Sequence, residues 1–254
     1  MTYRVSPFRA RAESSLPAVV EDVPSRALVV CAHPDDAEIG VGATIARWTG
    51  EGCEIAYVVC TTGSGGSNDL SMTAERLVLL RGQEQHESAR ALGVKEVAML
   101  AHPDGGLEDS YEFRGEIVRA IRKYRPHTVF THDPYRMSGF QHRDHRMCGI
   151  VTMDAVYPFA RDHLHFPEQI KSEGLRPHKV RHLMMWGSDR PDVVVDVTNT
   201  IEQQIEALSR HTSQVGGLAP EGRLGARMRE RAEAAAEGLP FRYGQAFRRL
   251  VARD

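Results

Sequence analysis

An α/β fold built on a doubly wound, mostly parallel sheet is what this 254-residue sequence predicts. Three observations lead there. Short continuous apolar runs recur, of the kind shown by strands buried on both faces. Helix-like stretches of about 10–18 residues alternate with them, the pattern of βαβ units. The polar residues richest in chemistry stand just beyond two of the apolar runs, and open α/β sheets bind ligands beyond the carboxyl ends of their strands.

Residues 1–24 lack periodicity and carry Pro7, Pro17 and Pro24, so they read as an extended arm that packs on the domain or on a neighbouring subunit. A single domain over 25–254 follows. Residues 26–32 (Arg-Ala-Leu-Val-Val-Cys-Ala) form the first buried strand, and a helix over 38–50 ends near Gly50 and Gly52. Residues 55–61 are the second strand, and a long helix over 75–92 is closed by Gly93. A third strand at 96–100, a helix at 112–124 and a fourth strand at 128–131 complete a Rossmann-like half. Beyond it the pattern is less regular: helix 145–160, strands 180–186 and 193–197, and helix 199–211. Residues 214–225 hold Gly216, Gly217, Gly222 and Gly225 and read as a mobile loop. A last helix at 226–237, rich in Arg, Glu and Ala, presents a solvated charged face.

Composition narrows the function classes. A formal net charge of −2 gives no reason to expect nucleic acid or an anionic membrane as partner. No apolar run approaches the roughly 20 residues of a membrane span. The positively charged first residues are followed by no apolar stretch of the kind a secretory signal needs. Cys31, Cys53, Cys60 and Cys148 are scattered and form no CxxC pair, which reads as reduced core cysteines in a cytoplasmic protein.

The chemistry begins at the exit of the first strand, at His33-Pro34-Asp35-Asp36-Ala37-Glu38. An imidazole and two carboxylates leaving a buried strand are costly unless something uses them. Pro34 keeps His33 extended. Neighbouring Asp35 and Asp36 diverge, one towards a metal and one beside it. Histidine with carboxylate is a standard zinc pair, and catalytic zinc usually takes three protein ligands and one water. A plainer role for either aspartate is to cap the helix that follows, but it leaves His33 unexplained. The second cluster, His142-Arg143-Asp144-His145, follows the fourth strand. His145 can supply a third ligand, with Asp144 behind it and His142 free for proton transfer. Among the other histidines, which read as surface or packing residues, His132 stands out as a neighbour of the site. The glycines at 40, 42 and 63–66 make neither a GxGxxG after a strand nor a P-loop, so they do not indicate a nucleotide. The kinase-like His-Arg-Asp lacks the asparagine its loop requires.

These motifs resemble the LmbE/PIG-L family of zinc-dependent de-N-acetylases that act on N-acetylglucosaminyl compounds. The similarity runs from about residue 26 to 214. It includes Leu80-Arg81-Gly82-Gln83-Glu84, Pro103-Asp104-Gly105 and His211-Thr212-Ser213-Gln214. The resemblance implies one Zn2+ per chain held by His33, Asp36 and His145, with Asp35 as general base. It makes His142 the general acid or oxyanion partner, oriented by Asp144, and sets Arg81 and Asp104 on sugar hydroxyls. Glu38 is expected to brace the loop. Several relatives carry a tyrosine two residues before the counterpart of His142; here it is Phe140, and Tyr135 is a candidate substitute. The implied substrate is a small amino sugar: a thiol-precursor glucosaminide, a chitooligosaccharide, an antibiotic pseudo-disaccharide or a glycolipid headgroup. A homo-oligomer is in keeping with the family. The competing readings are another metal-dependent hydrolase, phosphoesterase-like with a second metal, and a non-catalytic metal-binding protein of the same fold.

Overall fold

The computed structural model describes residues 16–215 and 222–252. Most of the expected arm and the centre of the glycine-rich 214–225 segment lie outside the described residues. Where the arm is described, β1 (Ala18–Val19) lies parallel to β7 (Val193–Asp196).

The βαβ half matches its expected order. It comprises β2 (Arg26–Cys31), α1 (Asp36–Gly50), β3 (Glu54–Thr61), α2 (Ala74–Ala91), β4 (Glu96–His102), α3 (Tyr111–Tyr124) and β5 (Thr128–His132). In β2 the reason for a continuous apolar run is visible. Ala27, Val29 and Cys31 face one core, while Leu28 and Val30 face the other. Helix starts follow local chemistry: Thr73 and Ser110 cap α2 and α3 by accepting the N–H groups of Arg76 and Phe113.

The second half holds α4 (Arg143–Val156), α5 (Pro167–Lys171), β6 (His182–Trp186), α6 (Ile201–Ser209), α7 (Thr212–Val215), α8 (Arg223–Ala235) and β8 (Gly244–Val251). The helix expected to run to residue 160 stops at Val156, because Pro158 cannot continue it, and resumes as one 3-10 turn at Phe159–Arg161. The strand order is β1-β7-β8-β6-β5-β2-β3-β4. All neighbours are parallel except β8, which runs antiparallel between β6 and β7. The sequence pattern predicts no strand there. Arg248 and Arg249 interrupt its apolar pattern, and only the two flanking strands give it a place in the sheet.

The topology positions the site. From β2 the chain winds outward through β3 and β4, then returns to β5 on the opposite side of β2. The crevice beyond the ends of β2 and β5 is therefore the topological switch point, where open α/β sheets bind ligands. Gly149 lets α4 approach this crevice: a Cβ there would come within 2.6 Å of the His132 carbonyl oxygen. That contact is with backbone and cannot relax by a rotamer change. Gly149→Ala is expected to lower stability by about 1–3 kcal/mol through overpacking. It is also expected to weaken metal binding, since α4 carries His145. Urea melts and metal titration check both effects, and an unchanged midpoint would contradict the close packing.

Candidate metal and active site

β2 delivers His33 into the switch-point crevice, and the chain then turns sharply into α1. Asp35, at the N-cap of α1, has φ 97°, a left-handed conformation rare for a residue with a side chain. Such strain costs on the order of 1–3 kcal/mol and persists only where surrounding contacts enforce it. Here Gln85 Oε1 accepts the Asp35 N–H at 3.0 Å. Asp36 then opens the helix with its carboxylate turned back onto the strand ends.

Asp36 is the hub. Its Oδ2 accepts the His33 N–H at 2.7 Å. The same oxygen lies 3.3 Å from His33 Nδ1 and 3.3 Å from His132 Nε2. Its Oδ1 lies 3.1 Å from His145 Nε2. Burial alone would favour the neutral acid, but His132, His145 and His33 outweigh it and hold the carboxyl well below its ordinary range. The imidazoles of His132 and His145 stack with centroids 4.1 Å apart.

The donor chemistry fits a bound cation. His132 Nε2 accepts the Ala32 N–H at 3.3 Å. A nitrogen that accepts has no proton to offer Asp36, so lone pairs face one another across the gap. His33 is braced from behind, with Nε2 lying 3.2 Å from Asp104 Oδ1 and 3.2 Å from Asp144 Oδ2. Carboxylates behind a ligating histidine fix its tautomer and leave the other nitrogen, here Nδ1, for the centre. Burial opposes a charged His33, yet the bonds to Asp104 and Asp36 prevail and raise its pKa to about 10. A cation taken at Nδ1 must displace that proton. Three donor sets, His33/His142/His145, Asp36/His132/His145 and His33/Asp104/Asp144, each converge within 4.8 Å. His145 links the first set to the second and His33 links the first to the third, so they describe one basin. No single set contains His33, Asp36 and His145 together; the Asp36 carboxylate joins the two imidazoles.

The remaining expected residues lie around that basin. Burial first, and the adjacent Asp36 charge second, push the Asp35 carboxyl up to about 7, while Arg81 pulls the other way. His142 is exposed, its ring 4.6 Å from that of His33. Its Nδ1 accepts the Asp144 N–H at 3.1 Å, so its proton sits on Nε2. Burial, then the facing His33 and His145, hold its pKa below the ordinary histidine value. Asp144 thus meets His142 through its backbone. Its carboxylate, fully buried, accepts Gly105 N–H at 2.6 Å and Leu107 N–H at 3.1 Å and faces His33 instead.

Arg81 is not on a helix surface. It is 4% exposed, and its Nη atoms donate to Gly63 O at 3.0 Å and Pro34 O at 2.6 Å. Gly63 packs so closely on the guanidinium that a Cβ would come within 2.7 Å of Nη1. Asp104 is half-open, and its Oδ2 accepts the Gly65 N–H at 3.0 Å. Phe140 projects into solvent, and Tyr135 lines a neighbouring cavity with Met137 and Asp189.

Some of the support lay beyond the sequence reading. Gln85, Glu84 and Ser88, with Arg81, occupy one inward face of α2. Gln85 Nε2 donates to Glu38 Oε1 at 3.0 Å, and Glu38 Oε2 lies 3.3 Å from His211 Nε2, both residues being wholly buried. Glu84 receives Thr212 Oγ1 at 2.7 Å and Ser213 Oγ at 2.6 Å. The 3.6-residue spacing of Arg81, Glu84, Gln85 and Ser88 was the available signal, a polar stripe at core periodicity.

A cavity of about 350 Å³ is lined by Asp36, His132 and His145 together with Trp186, Arg136 and Arg231. Gly40 shapes it, since a Cβ there would come within 2.6 Å of the Trp186 indole. All four cysteines are buried and free, and no helix among the described residues is long and apolar enough to cross a membrane.

Comparison with known proteins agrees with this architecture. The diacetylchitobiose deacetylase of Thermococcus kodakarensis is 34% identical over 189 residues, covering 74% of this chain and 70% of that protein. A 1D-myo-inositol 2-acetamido-2-deoxy-alpha-D-glucopyranoside deacetylase from Mycobacterium sp. strain JLS is 29% identical over 265 residues, covering 86% of this chain and 82% of its own. The solved N,N'-diacetylchitobiose deacetylase of Pyrococcus horikoshii, complexed with its inhibitor MPG, superposes with a TM-score of 0.82 at 31% identity, over 90% of this chain and 84% of that one. The family model described as PIG-L, GlcNAc-PI de-N-acetylase, matches residues 28–156, from within β2 to the end of α4, and this chain belongs to that family.

Proposed function

We propose that the chain is a zinc-dependent N-deacetylase that releases acetate from an N-acetylglucosaminyl or closely similar amino-sugar compound, with one zinc held by His33, Asp36 and His145. The observation that carries this reading is the Asp36 carboxylate ringed by three imidazoles, with the near-neutral Asp35 beside it. The deacetylase names of the relatives support the same reaction class. The donor sets form one basin rather than two, which favours a single ion over the paired metals of many phosphoesterases.

Zinc bound there supplies Lewis acidity, polarising the acetamide carbonyl and acidifying water. Asp35 takes the proton of the attacking water and passes it to the departing amine; burial raises its carboxyl above the ordinary aspartate range, to about 7 before any metal binds. His142 Nε2–H donates to the amide oxygen as negative charge develops there, a task a neutral imidazole performs. Asp144 serves twice, its N–H setting the tautomer of His142 and its carboxylate holding His33. Arg81 fixes the Pro34 carbonyl beside Asp35, so its part is positioning rather than the direct hold on sugar hydroxyls that the resemblance implied. Asp104, half-open at the end of β4, remains the better placed of the two to meet a hydroxyl.

The test is acetate release from N-acetylglucosamine, its methyl glycoside and N,N'-diacetylchitobiose, with metal counted on the same samples. One zinc per chain, with activity lost on chelation and restored by zinc, is the expected result. Two metals per chain with turnover of phosphate esters would favour the phosphoesterase reading. A protein that holds metal but releases no acetate from any of them would be a binding protein.

A further inference from the structure

We infer that Gln85, oriented by Glu38, is a positioning residue for Asp35: the pair forms a buried relay between α1 and α2 that holds the Asp35 backbone in its strained turn and so aims its carboxylate. This rests on the deacetylase reading, in which Asp35 is the base. The need for such a relay is visible at the start of α1. An aspartate at an N-cap ordinarily turns its carboxylate onto the N–H groups of the first helical turn. Asp35 makes no such bond, and its φ of 97° is one that a residue with a Cβ rarely adopts. Its side chain is thereby left free for chemistry, but the turn lacks the bond that would ordinarily fix it. Another contact must enforce the strained conformation.

Gln85 supplies that contact. Its Oε1 accepts the Asp35 N–H at 3.0 Å, and its Nε2 donates to Glu38 Oε1 at 3.0 Å. A side-chain amide can point either way, and here the carboxylate decides which. As a carboxylate Glu38 only accepts, so the amide nitrogen must face it and the amide oxygen must face Asp35. With the amide reversed, N–H would oppose N–H at Asp35 and oxygen would oppose oxygen at Glu38. Glu38 is itself held in place. Its carbonyl accepts from Gln204 Nε2 at 2.6 Å, and its other carboxylate oxygen lies 3.3 Å from His211 Nε2, an imidazole able to balance its charge. α2 is tied down around Gln85, because Arg81 donates to the Pro34 carbonyl and Glu84 receives Thr212 Oγ1 and the Ser213 N–H. Glu38, Gln85 and His211 are all closed to solvent, so they act on a substrate only through Asp35.

Gln85→Leu removes both bonds. It is expected to lower kcat by about 10- to 100-fold, the scale for losing a bond behind a site or misplacing a reacting group by about 1 Å. KM and metal content should stay close to the parent's. Non-additivity is the readout that distinguishes a relay. In an Asp35→Asn background the same substitution should cost less than about 2-fold, because residues that act as a unit do not add. A merely structural glutamine would cost the same factor in both backgrounds. A reciprocal exchange provides the rescue. Gln85→Glu alone sets two carboxylates against each other and should lose turnover. Glu38→Gln combined with Gln85→Glu restores an acceptor for the Asp35 N–H and a donor between the two side chains, and should recover most of the parent rate. This comparison decides the matter even if Gln85→Leu does not fold. Hydrogen exchange at the Asp35 amide reads the relay without turnover: it should be slower in the parent and in the exchanged pair than in either single variant at Gln85. If the parent releases no acetate from N-acetylglucosamine, its methyl glycoside or N,N'-diacetylchitobiose but the amide follows that order, the positioning stands and the deacetylase reading fails. Equal costs in both backgrounds, no recovery in the exchanged pair, or an Asp35 amide indifferent to Gln85 overturns the inference.

Discussion

Asp36→Ala is expected to lose tight divalent-metal binding and with it all measurable turnover. The carboxylate is the one anion shared by His33, His132 and His145, at 3.1–3.3 Å from each. Its removal takes a ligand from the ion and leaves three buried or half-buried imidazoles facing one another. Outer-shell changes alone typically cost 10- to 100-fold in metal affinity, so loss of the central ligand should exceed about 100-fold. The fold is less exposed to the change. Asp36 lies at the first turn of α1, and the helix keeps its packing through Val41, Ile45 and Trp48. Asp36→Asn separates charge from shape, because an amide oxygen still accepts the His33 N–H. Metal content after dialysis and a thermal melt together check the expectation: an intact melt with little metal supports it. Full occupancy in both variants would remove Asp36 from the ligand set.

Asp35→Asn is expected to keep the metal and the fold and to lower kcat by about 100-fold or more, the usual scale for losing a general base. Asparagine also tolerates the positive φ of this position better than most residues. The pH profile carries a second signature. Burial holds the Asp35 carboxyl up at about 7 rather than at its ordinary 3.8. A base must be deprotonated to act, so kcat/KM of the parent rises with pH as this group ionises. The positive charge of a bound metal displaces that limb downward from 7, towards 3.8. The asparagine variant should lack the limb altogether. The same shift has a stability consequence in the metal-free protein. A carboxyl whose folded pKa is raised destabilises the fold above the unfolded pKa near 4, and the loss grows until pH passes about 7. The metal-free asparagine variant should therefore melt higher than the metal-free parent at neutral pH. A variant with near-normal turnover and an unchanged acidic limb would take Asp35 out of the proton transfer.

Much of the architecture could be read directly from the residues, because burial on both faces forces β2, β3 and β5 to be continuous apolar runs while the helices between them must carry period-3.6 stripes. The two polar clusters were equally legible. An imidazole and carboxylates at strand exits stand against an apolar background, and each cluster is local in sequence. Both lie just beyond the carboxyl ends of their strands, where the apolar runs end. β8 was not legible, since its Arg248 and Arg249 point to no core and its place depends on β6 and β7. The inward polar face of α2 was hidden for a related reason. Arg81, Glu84, Gln85 and Ser88 look like a solvated stripe until the loops after β2 and β3 and the His211–Val215 turn close over them.

The sequence by itself determined the fold class, the family and the residues from which a metal site can be built, since these depend on local pattern and on spacing along one strand exit. Tertiary structure alone decided how those residues divide the work. It brought His132 from β5 to the same carboxylate that His33 and His145 face, and turned the Asp144 carboxylate away from His142 towards His33. It also buried Arg81 behind Asp35. Each of these depends on side chains meeting across about 50 to more than 100 residues of chain, through angles set by helix and strand packing. Nothing in a linear pattern specifies such angles, because they arise only when the sheet has closed and both of its faces are covered.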